Sequence, residues 1–397
     1  MVVETVRLQS GERLPMLLDE QGLPVPGPCE WMLVRRHLSY NSLSRNMNEL
    51  AVMYGWFQHA GIDLFERIRS AKRFSEAEVS SLVECLRRPQ QKQSKVVKLA
   101  VTPDTANKRI GTAINHIGWC FDVVVSTEEL SDAKRDLINE NRNFVIKYLL
   151  SARQKNDPSS KKKKRLTAKQ AQFLQDVLDP DGGSDFGRDR TVKLRNFLAI
   201  TLMLFLGLRV GELLSLRVND IEFGSITSIR VIRRGPSLAD PRERPPSVKR
   251  AGRVLPLDSP RIAMLLDDYI MDHREKCMRH GKAPDTPFLF LSDDGSPLTS
   301  DALQKLCSEL RSRYPKSLPP HLTTKALRHT FTDQIYIDLR KAGHPEDEIT
   351  QILMDLRGDT APGSQDTYID DQEAGREILR QYHLKMASSR SAPDVPF

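Results

Sequence analysis

The chain has 397 residues, which at about 150 residues per domain predicts two or three domains rather than one small module. Lysine and arginine number 60 against 52 aspartate and glutamate residues, and the resulting net charge of +8 favours a polyanionic partner, with nucleic acid the first to consider. The composition, 39% hydrophobic and 28% charged, indicates a globular protein and excludes wholesale disorder, collagen and a disulfide-stabilised miniprotein.

The cysteines indicate neither disulfides nor a metal site. There are five of them, an odd number, with no CxxC pair and no Cys/His ligand spacing. The most apolar run, residues 197–208, is about half the ~20 residues that span a bilayer, and the first residues lack the apolar core of a signal peptide. We therefore expect a cytoplasmic protein with no membrane partner.

Residues 1–40 are predicted to be an irregular lead-in. They carry four prolines, three of them clustered, and show no sustained apolar period.

Residues 41–152 are predicted to form a helical domain. Apolar residues recur at helical spacing from Ser44 to Phe57 and again from Ile110 to Phe121, where Thr105 has the character of a helix cap. Residues 75–86 and 132–150 also read as helices.

Residues 153–165 are predicted to be a basic linker between two domains. The segment holds seven basic side chains, one acidic one, a proline and two serines, and nothing to bury. Such a run is either a solvated tether or a contact to a DNA backbone, and the candidates for that contact are Lys161, Lys162, Lys163, Lys164 and Arg165.

Residues 166–397 are predicted to form a second, larger domain that is mainly helical with a small antiparallel β-sheet. Helices are expected over 167–178, 192–206 and 210–216, and two strands over 226–233 and 253–257, joined by a long proline-rich connection. The remainder reads as helix.

Three segments of this domain could carry chemistry. Arg209 precedes a short helix, where a guanidinium and free N–H groups could hold a phosphate. In LTTKALRHTFTD, Lys325 and Arg328 lie three apart on one helix face, flanked by His329. Tyr368 follows the turn GDTAPG, and a tyrosine can attack phosphorus covalently.

The ordered set GLRVGEL, KALRHTF and a tyrosine after a glycine-containing turn resembles the tyrosine recombinases of the phage integrase family. The gap between the two arginines is 119 residues and that from the second arginine to the tyrosine is 40. The resemblance covers about residues 166–385, and the helical region 41–152 is similar, more weakly, to the core-binding domain of the family. It implies a helical core-binding domain followed by a mixed α/β catalytic domain with a C-terminal helical tail.

The resemblance also implies roles for individual residues. Arg209 and Arg328 would hold the non-bridging oxygens of the scissile phosphate, and Tyr368 would be the nucleophile. The match to the β-hairpin lysine of the family falls on Lys249, which would protonate the leaving 5′ oxygen. A solvated turn lysine is the alternative interpretation of Lys249.

Two positions depart from the commonest family pattern. Lys325 stands where most members have histidine, as in the related type IB topoisomerases. Asp359 stands nine residues before the tyrosine, where histidine or tryptophan is usual, so either the alignment slips in this turn or the site is slow. We give Asp359 no role, and we expect His329 and Glu212 to be supporting residues.

The implied function is site-specific recombination or transposon integration through a 3′-phosphotyrosyl intermediate, without cofactor or metal. The implied partners are double-stranded DNA, a homotetramer on paired sites, and partner recombinases or accessory factors. The tail could pack on a neighbouring subunit or within its own chain. Two alternatives stay open: relaxation of supercoils by the same chemistry, as in type IB topoisomerases, and a catalytically weak DNA-binding accessory protein of a mobile element.

Overall fold

The computed structural model describes residues 1–89, 100–155, 165–183, 185–248, 252–280, 286–359, 377–384 and 386. The chain divides into two compact units, Met1–Lys162 and Lys163–Phe397, and the division falls inside the segment 153–165 that the sequence marks as a linker. The described residues are mostly helical and form two small antiparallel sheets, so the predicted fold class is confirmed.

The first unit packs helices around a core built mainly by its second and fifth helices, where Leu50, Ile110 and Phe121 are fully buried. The fifth helix is capped by Thr102 and begins one residue later, so the prediction of a cap at Thr105 is wrong by one turn. The elements are β1 (Val2–Arg7), β2 (Arg13–Leu18), α1 (Pro26–Val34), α2 (Tyr40–His59), α3 (Leu64–Arg69), α4 (Glu76–Arg87), α5 (Pro103–Thr127) and α6 (Asp132–Ser151).

The first 40 residues are not an irregular lead-in. Strands β1 and β2 pair as an antiparallel hairpin, with Val2 opposite Leu18, and α1 follows them. The prolines misled the prediction because Pro26 lies in the first turn of α1, where a helix does not use the missing N–H group. Leu17, Trp31 and Met32 are buried in the core of the unit.

The second unit is larger and also mainly helical in its described part. Its elements are α7 (Ala168–Leu178), α8 (Arg190–Leu206), α9 (Val210–Ser215), β3 (Ile221–Glu222), β4 (Thr227–Val231), β5 (Arg253–Leu257), α10 (Pro260–Asp268), α11 (Arg274–His280), α12 (Ser300–Arg313), α13 (Thr324–Lys341) and α14 (Glu346–Arg357). A 3-10 turn (Val218–Asp220) precedes β3, a π-helical stretch (Tyr269–His273) joins α10 to α11, and residues 377–384 are helical.

Helix α8 runs through the middle of this unit. Its residues from Asn196 to Leu206 are all buried, which explains why the sequence there is apolar on every side rather than along one stripe. Beside it, the three strands pair in the order β3, β4, β5, with Ile229 opposite both Ile221 and Leu255. These three apolar side chains are buried, so the sheet covers one side of the core.

The helical residues 377–384 belong to the core of their own chain. Ile378, Leu379 and Tyr382 are buried with α8 and α13, and Tyr382 Oη donates a hydrogen bond to the carbonyl of Leu204 at 3.1 Å. Of the two arrangements that the sequence left open for the tail, these residues adopt the intramolecular one. None of the helices in the described ranges has the length and apolar composition of a membrane span.

Candidate active site

Arg209 is fixed by the turn between α8 and α9. Gly207 ends α8 with φ of +59°, a left-handed conformation that favours glycine, and Arg209 is the residue before α9. The backbone N–H of Arg209 donates to Glu212 Oε2 at 2.9 Å, and its Nη1 donates to Glu212 Oε1 at 2.7 Å. One carboxylate therefore holds both the backbone and the side chain of Arg209.

Arg328 reaches the same turn from α13. It is only 7% exposed, and its Nη1 donates to the carbonyl of Gly207 at 2.6 Å. A cation is favoured there because the C-terminal carbonyls of α8 carry partial negative charge. Burial, followed by the nearby positive charges of Arg209, Arg253 and Arg357, lowers the pKa of Arg328 to about 9.

The C-terminus of α14 gathers three arginines. The backbone oxygen of Arg357 accepts from Arg209 Nη1 at 3.1 Å and from Arg328 Nη2 at 2.9 Å, and the backbone oxygen of Leu356 accepts from Arg253 Nε at 2.8 Å. We call Arg209, Arg253, Arg328 and Arg357 the arginine cluster. Its members come from four separate elements of the unit.

Glu212 is the buried counter-ion of this cluster. Its side chain has no exposed surface, and its oxygens accept from Arg253 at 3.0 and 3.3 Å in addition to Arg209, with Arg328 at 3.7 Å. Burial alone would raise the pKa of Glu212, but hydrogen bonds and positive charge from Arg253 and Arg209 outweigh it and hold the pKa below its usual value. Glu212 is therefore ionised and orients two arginines.

Asp359 is the second carboxylate at the cluster, on its more exposed side. Its side chain is 25% exposed, and it forms an ion pair with Nη2 of Arg209, another with Arg357 at 3.0 Å, and a longer one with Arg328 at 3.8 Å. The position that the sequence left without a role is thus in contact with three of the four arginines.

Of the other predicted site residues, three lie in the described part of the chain: Lys325, His329 and Arg165. Lys325 lies one turn before Arg328 on α13, exposed and without a hydrogen bond or ion pair to any described residue, and His329 is half-buried. Arg165 forms an ion pair with Asp333, so its charge is partly compensated. Lys249 and Tyr368, together with Lys161, Lys162, Lys163 and Lys164, lie outside the described residues.

The four described tyrosines of this unit have packing or hydrogen-bond partners of their own. Tyr382 and Tyr269 are fully buried, and the hydroxyl of Tyr269 accepts from the N–H of Leu291. Tyr336 is half-buried and donates to Glu346 at 2.8 Å, while Tyr314 packs edge-on against Phe173. The ring of Tyr336 packs on the core, while its hydroxyl bonds a surface carboxylate.

Sequence reasoning missed Arg253 and Arg357. Arg253 is the first residue of β5, and Arg357 is the last residue of α14. Basic residues are common at both kinds of position, and only the tertiary fold brings these two to Glu212 and Asp359. No local pattern distinguishes them from the other arginines of the chain.

A bound metal has no evident ligand set in the described ranges. No three histidine, cysteine, aspartate or glutamate side chains there come together as a metal site requires. Four guanidinium groups converge with two carboxylates, so positive charge is in excess there, and cations bind anions. The arrangement is therefore suited to hold a phosphate or another oxyanion through charge-assisted hydrogen bonds.

Comparison with known proteins finds a family match within this unit. Residues 164–353 match the phage integrase family, and the matched range includes Arg209, Glu212, Lys325 and Arg328. The matched range ends before Asp359 and Tyr368, which lie in the part of the chain that follows it.

Curated relatives match less than half of the chain. Tyrosine recombinase XerC of Methylobacterium sp. (strain 4-46) is 29% identical over 183 residues, which cover 44% of this chain and 50% of that protein. The chain therefore spans about half the length of the curated relatives it matches.

Solved structures of recombinases align over more of the chain at lower identity. The XerH site-specific recombinase bound to difH substrate is 15% identical, with a TM-score of 0.39 and coverage of 89% of this chain and 90% of that one. The Tn1549 transposon integrase in complex with circular intermediate DNA is 14% identical, with a TM-score of 0.45 and coverage of 88% and 97%.

Proposed function

We propose that this protein is a site-specific DNA recombinase or integrase that cleaves and rejoins duplex DNA through a 3′-phosphotyrosyl intermediate. The observation that carries the proposal is the convergence of Arg209 and Arg328, 119 positions apart in the chain, on the backbone oxygen of Arg357. Four arginines face two carboxylates at this place, and the excess positive charge suits a phosphodiester.

The proposed chemistry is a transesterification. Oη of Tyr368 attacks the phosphorus, a bond from that oxygen to phosphorus forms, and the bond from phosphorus to the 5′ oxygen breaks. The phenolic proton of Tyr368 passes to solvent water as the new bond forms, and Lys249 donates a proton to the departing 5′ oxygen. Arg209 and Arg328 stabilise the negative charge that develops on the non-bridging oxygens. Attack by a 5′ hydroxyl of the partner strand reverses the step and rejoins the DNA.

The other tyrosines of the catalytic unit support Tyr368 as the nucleophile. Tyr269 and Tyr382 are buried with their hydroxyl groups bonded, Tyr336 bonds Glu346, and Tyr314 packs in an aromatic cluster. A nucleophile must reach the phosphate that the arginines hold. These four have packing or hydrogen-bond partners of their own, which favours Tyr368 as the proposed residue of this unit.

Lys325 is proposed to contact the phosphate as a further cation. It lies three residues before Arg328 on α13, so both side chains project from neighbouring positions of one helix face. The absence of a partner for Lys325 among the described residues supports this role, because an exposed ammonium group is free to meet DNA.

The proposed partner is double-stranded DNA, bound by both units of the chain in the cytoplasm. The helical first unit would act as the core-binding domain, and Lys161, Lys162, Lys163, Lys164 and Arg165 would contact the DNA backbone in a manner that weakens with salt. We further propose a homotetramer on two paired sites, with partner recombinases or accessory factors as possible additions. Mass photometry of the full chain with and without a duplex carrying its site tests the assembly.

A two-plasmid assay tests the function. The DNA site is first selected from a random duplex library by rounds of binding to the full chain, and one copy is then cloned into each of two plasmids. Exchange between the plasmids supports a recombinase. Relaxation of supercoils without exchange selects the topoisomerase alternative, which Lys325 motivates. Tight binding without either activity selects the accessory-protein alternative, which Asp359 motivates.

A further inference from the structure

The carboxylate of Asp359 sits among the arginines that are proposed to hold the scissile phosphate. It pairs with Arg209 through one oxygen and with Arg357 and Arg328 through the other, at 3.0 and 3.8 Å for the last two. A carboxylate and a phosphate each offer two neighbouring oxygens that accept hydrogen bonds from guanidinium groups. Asp359 therefore satisfies hydrogen-bond donors that a phosphate would need.

The two acids at the cluster are not equivalent. Glu212 has no exposed surface and is bonded to Arg253 as well as Arg209, so it belongs to the framework that holds the arginines. The side chain of Asp359 is 25% exposed. Its shorter ion pairs are with Arg209 and Arg357, whose side chains are also partly exposed, at 23% and 30%. An anion that arrives from solvent meets Asp359 before it meets Glu212.

The backbone at Asp359 is anchored, and its side chain is partly exposed. The N–H of Asp359 donates to the carbonyl of Met354 at 2.8 Å, and the N–H of Gly358 donates to that of Asp355 at 3.0 Å, so this part of the chain is tied to the end of α14. Release of the arginines by rotation about the two side-chain torsions of Asp359 would leave these backbone hydrogen bonds in place.

We propose that Asp359 is an internal competitor for the phosphate site: its carboxylate occupies Arg209, Arg328 and Arg357 when DNA is absent and is exchanged for a DNA phosphate on binding. The inference rests on the proposed function and extends it in two ways. Arg357 becomes a third arginine that faces the phosphate once Asp359 turns away. The negative charge of Asp359 opposes phosphate binding, so the chain holds its own anion in the site until a correctly placed phosphate displaces it.

The test uses inorganic sulfate as the probe, so that it needs neither cleavage nor a known DNA site. Thermal unfolding of the full chain is measured across a sulfate titration for wild type, Asp359→Asn and Asp359→Ala. Because a ligand that binds only the folded state stabilises it by RT ln(1 + [L]/Kd), the rise in Tm reports binding. Both variants are expected to start at a lower Tm and to reach a given rise in Tm at about tenfold lower sulfate than wild type, since a charged competitor is gone.

Two controls isolate the site. Asp347→Asn changes the net charge equally at an exposed position of α14, the helix that precedes Asp359, and is expected to respond to sulfate as wild type does. Arg209→Gln combined with Asp359→Asn is expected to lose the added response, which separates binding at the cluster from general stabilisation by sulfate. The use of two substitutions at position 359 covers the case in which one of them unfolds the chain.

The outcomes distinguish this inference from the proposed function. Variants of Asp359 that respond to sulfate no more strongly than wild type and Asp347→Asn overturn the competitor role, whatever the chain does to DNA. A stronger sulfate response in those variants supports the competitor role. If wild type at the same time forms no covalent DNA adduct, the proposed DNA cleavage is wrong. A stronger response together with an adduct supports both.

Discussion

Glu212 and Arg253 form a two-point ion pair in which both carboxylate oxygens accept, at 3.3 and 3.0 Å, from a guanidinium that is nearly as buried as the acid. The pair joins α9 to β5, two elements that no sequence pattern connects. Because Glu212 also holds Arg209, this one carboxylate determines where an arginine proposed to bind phosphate is placed.

The first prediction concerns Glu212. Substitution Glu212→Gln leaves the arginines around it without a buried counter-charge, and removal of one partner from a buried ion pair typically costs about 3–5 kcal/mol. We expect the free energy of unfolding of the second unit, measured in urea, to fall by about that amount, and Asp347→Asn to leave it within about 0.5 kcal/mol of wild type. A Glu212→Gln protein as stable as wild type would show that the pair contributes little.

The second prediction concerns Gly207. Its φ of +59° strains any other residue, and a Cβ added there would overlap the ring of Phe331 on α13. Gly343 is a matched control, because its φ is +88° but an added Cβ meets nothing within 4 Å. We expect Gly343→Ala to cost about 1 kcal/mol and Gly207→Ala to cost about 3 kcal/mol or more, since it also forces α8 and α13 apart. Equal losses of stability in the two alanine variants would mean that the ring of Phe331 moves aside at little cost in free energy.

The third prediction concerns pH. Burial lowers the pKa of His116 in the first unit to about 3 and that of His383 in the second unit to about 4. A folded-state pKa below the unfolded value of about 6.5 gives stability that is present above pH 6.5 and is lost as pH falls toward the folded value. At pH 5, protonation of each histidine in the unfolded state should have lowered the free energy of unfolding by about 2 kcal/mol.

Urea unfolding at pH 7 and pH 5 measures this loss. His383→Gln retains groups that can accept from the N–H of Asp258 and donate to the carbonyl of Phe205, as Nδ1 and Nε2 of the histidine do. The second unit of this variant, and the first unit of His116→Gln, should lose less stability on acidification than wild type. Losses that match wild type in both variants would place the acid sensitivity in other groups.

The fourth prediction concerns the basic linker. Replacement of Lys161, Lys162, Lys163 and Lys164 by glutamine should weaken binding to any duplex and lower the slope of log affinity against log salt by about 0.9 for each phosphate that the protein no longer neutralises. Four exposed lysines elsewhere give a control with the same change in net charge: Lys276, Lys305, Lys316 and Lys341. Fluorescence anisotropy with a labelled duplex measures the affinity and its salt dependence for both variants. A slope that changes equally in the two variants would reduce the linker to a solvated tether.

Most of the longer helices could be predicted from the sequence because their signals are local. The capping box of Ser75 and Glu78 marks the first turn of α4, and Gly207 ends α8 after an apolar run. Strand β5 was predicted with its observed bounds, Arg253–Leu257. The hairpin of β1 and β2 was missed because Pro15 lies within a strand, which is tolerated in a two-stranded sheet where both strands are edges.

The candidate site was predictable only in part. Arg209 and Arg328 stand in recognisable motifs, and the structure brings them together, with Glu212 between them. Arg253, Arg357 and Asp359 join them through the fold, since each is placed by the end of an element rather than by a pattern of its own. Asp359, the residue that the alignment with the family assigns to the site, does lie at the arginine cluster.

The measurement that tests the account most directly is the capture of a covalent protein–DNA adduct on a denaturing gel. Nicked duplexes that carry the selected site trap the intermediate, and wild type is run beside Tyr368→Phe, Arg328→Ala and Tyr336→Phe. We predict an adduct with wild type and with Tyr336→Phe, no adduct with Tyr368→Phe, and a strongly reduced yield with Arg328→Ala. An adduct that persists in Tyr368→Phe, or tight binding of wild type without any adduct, would contradict the account.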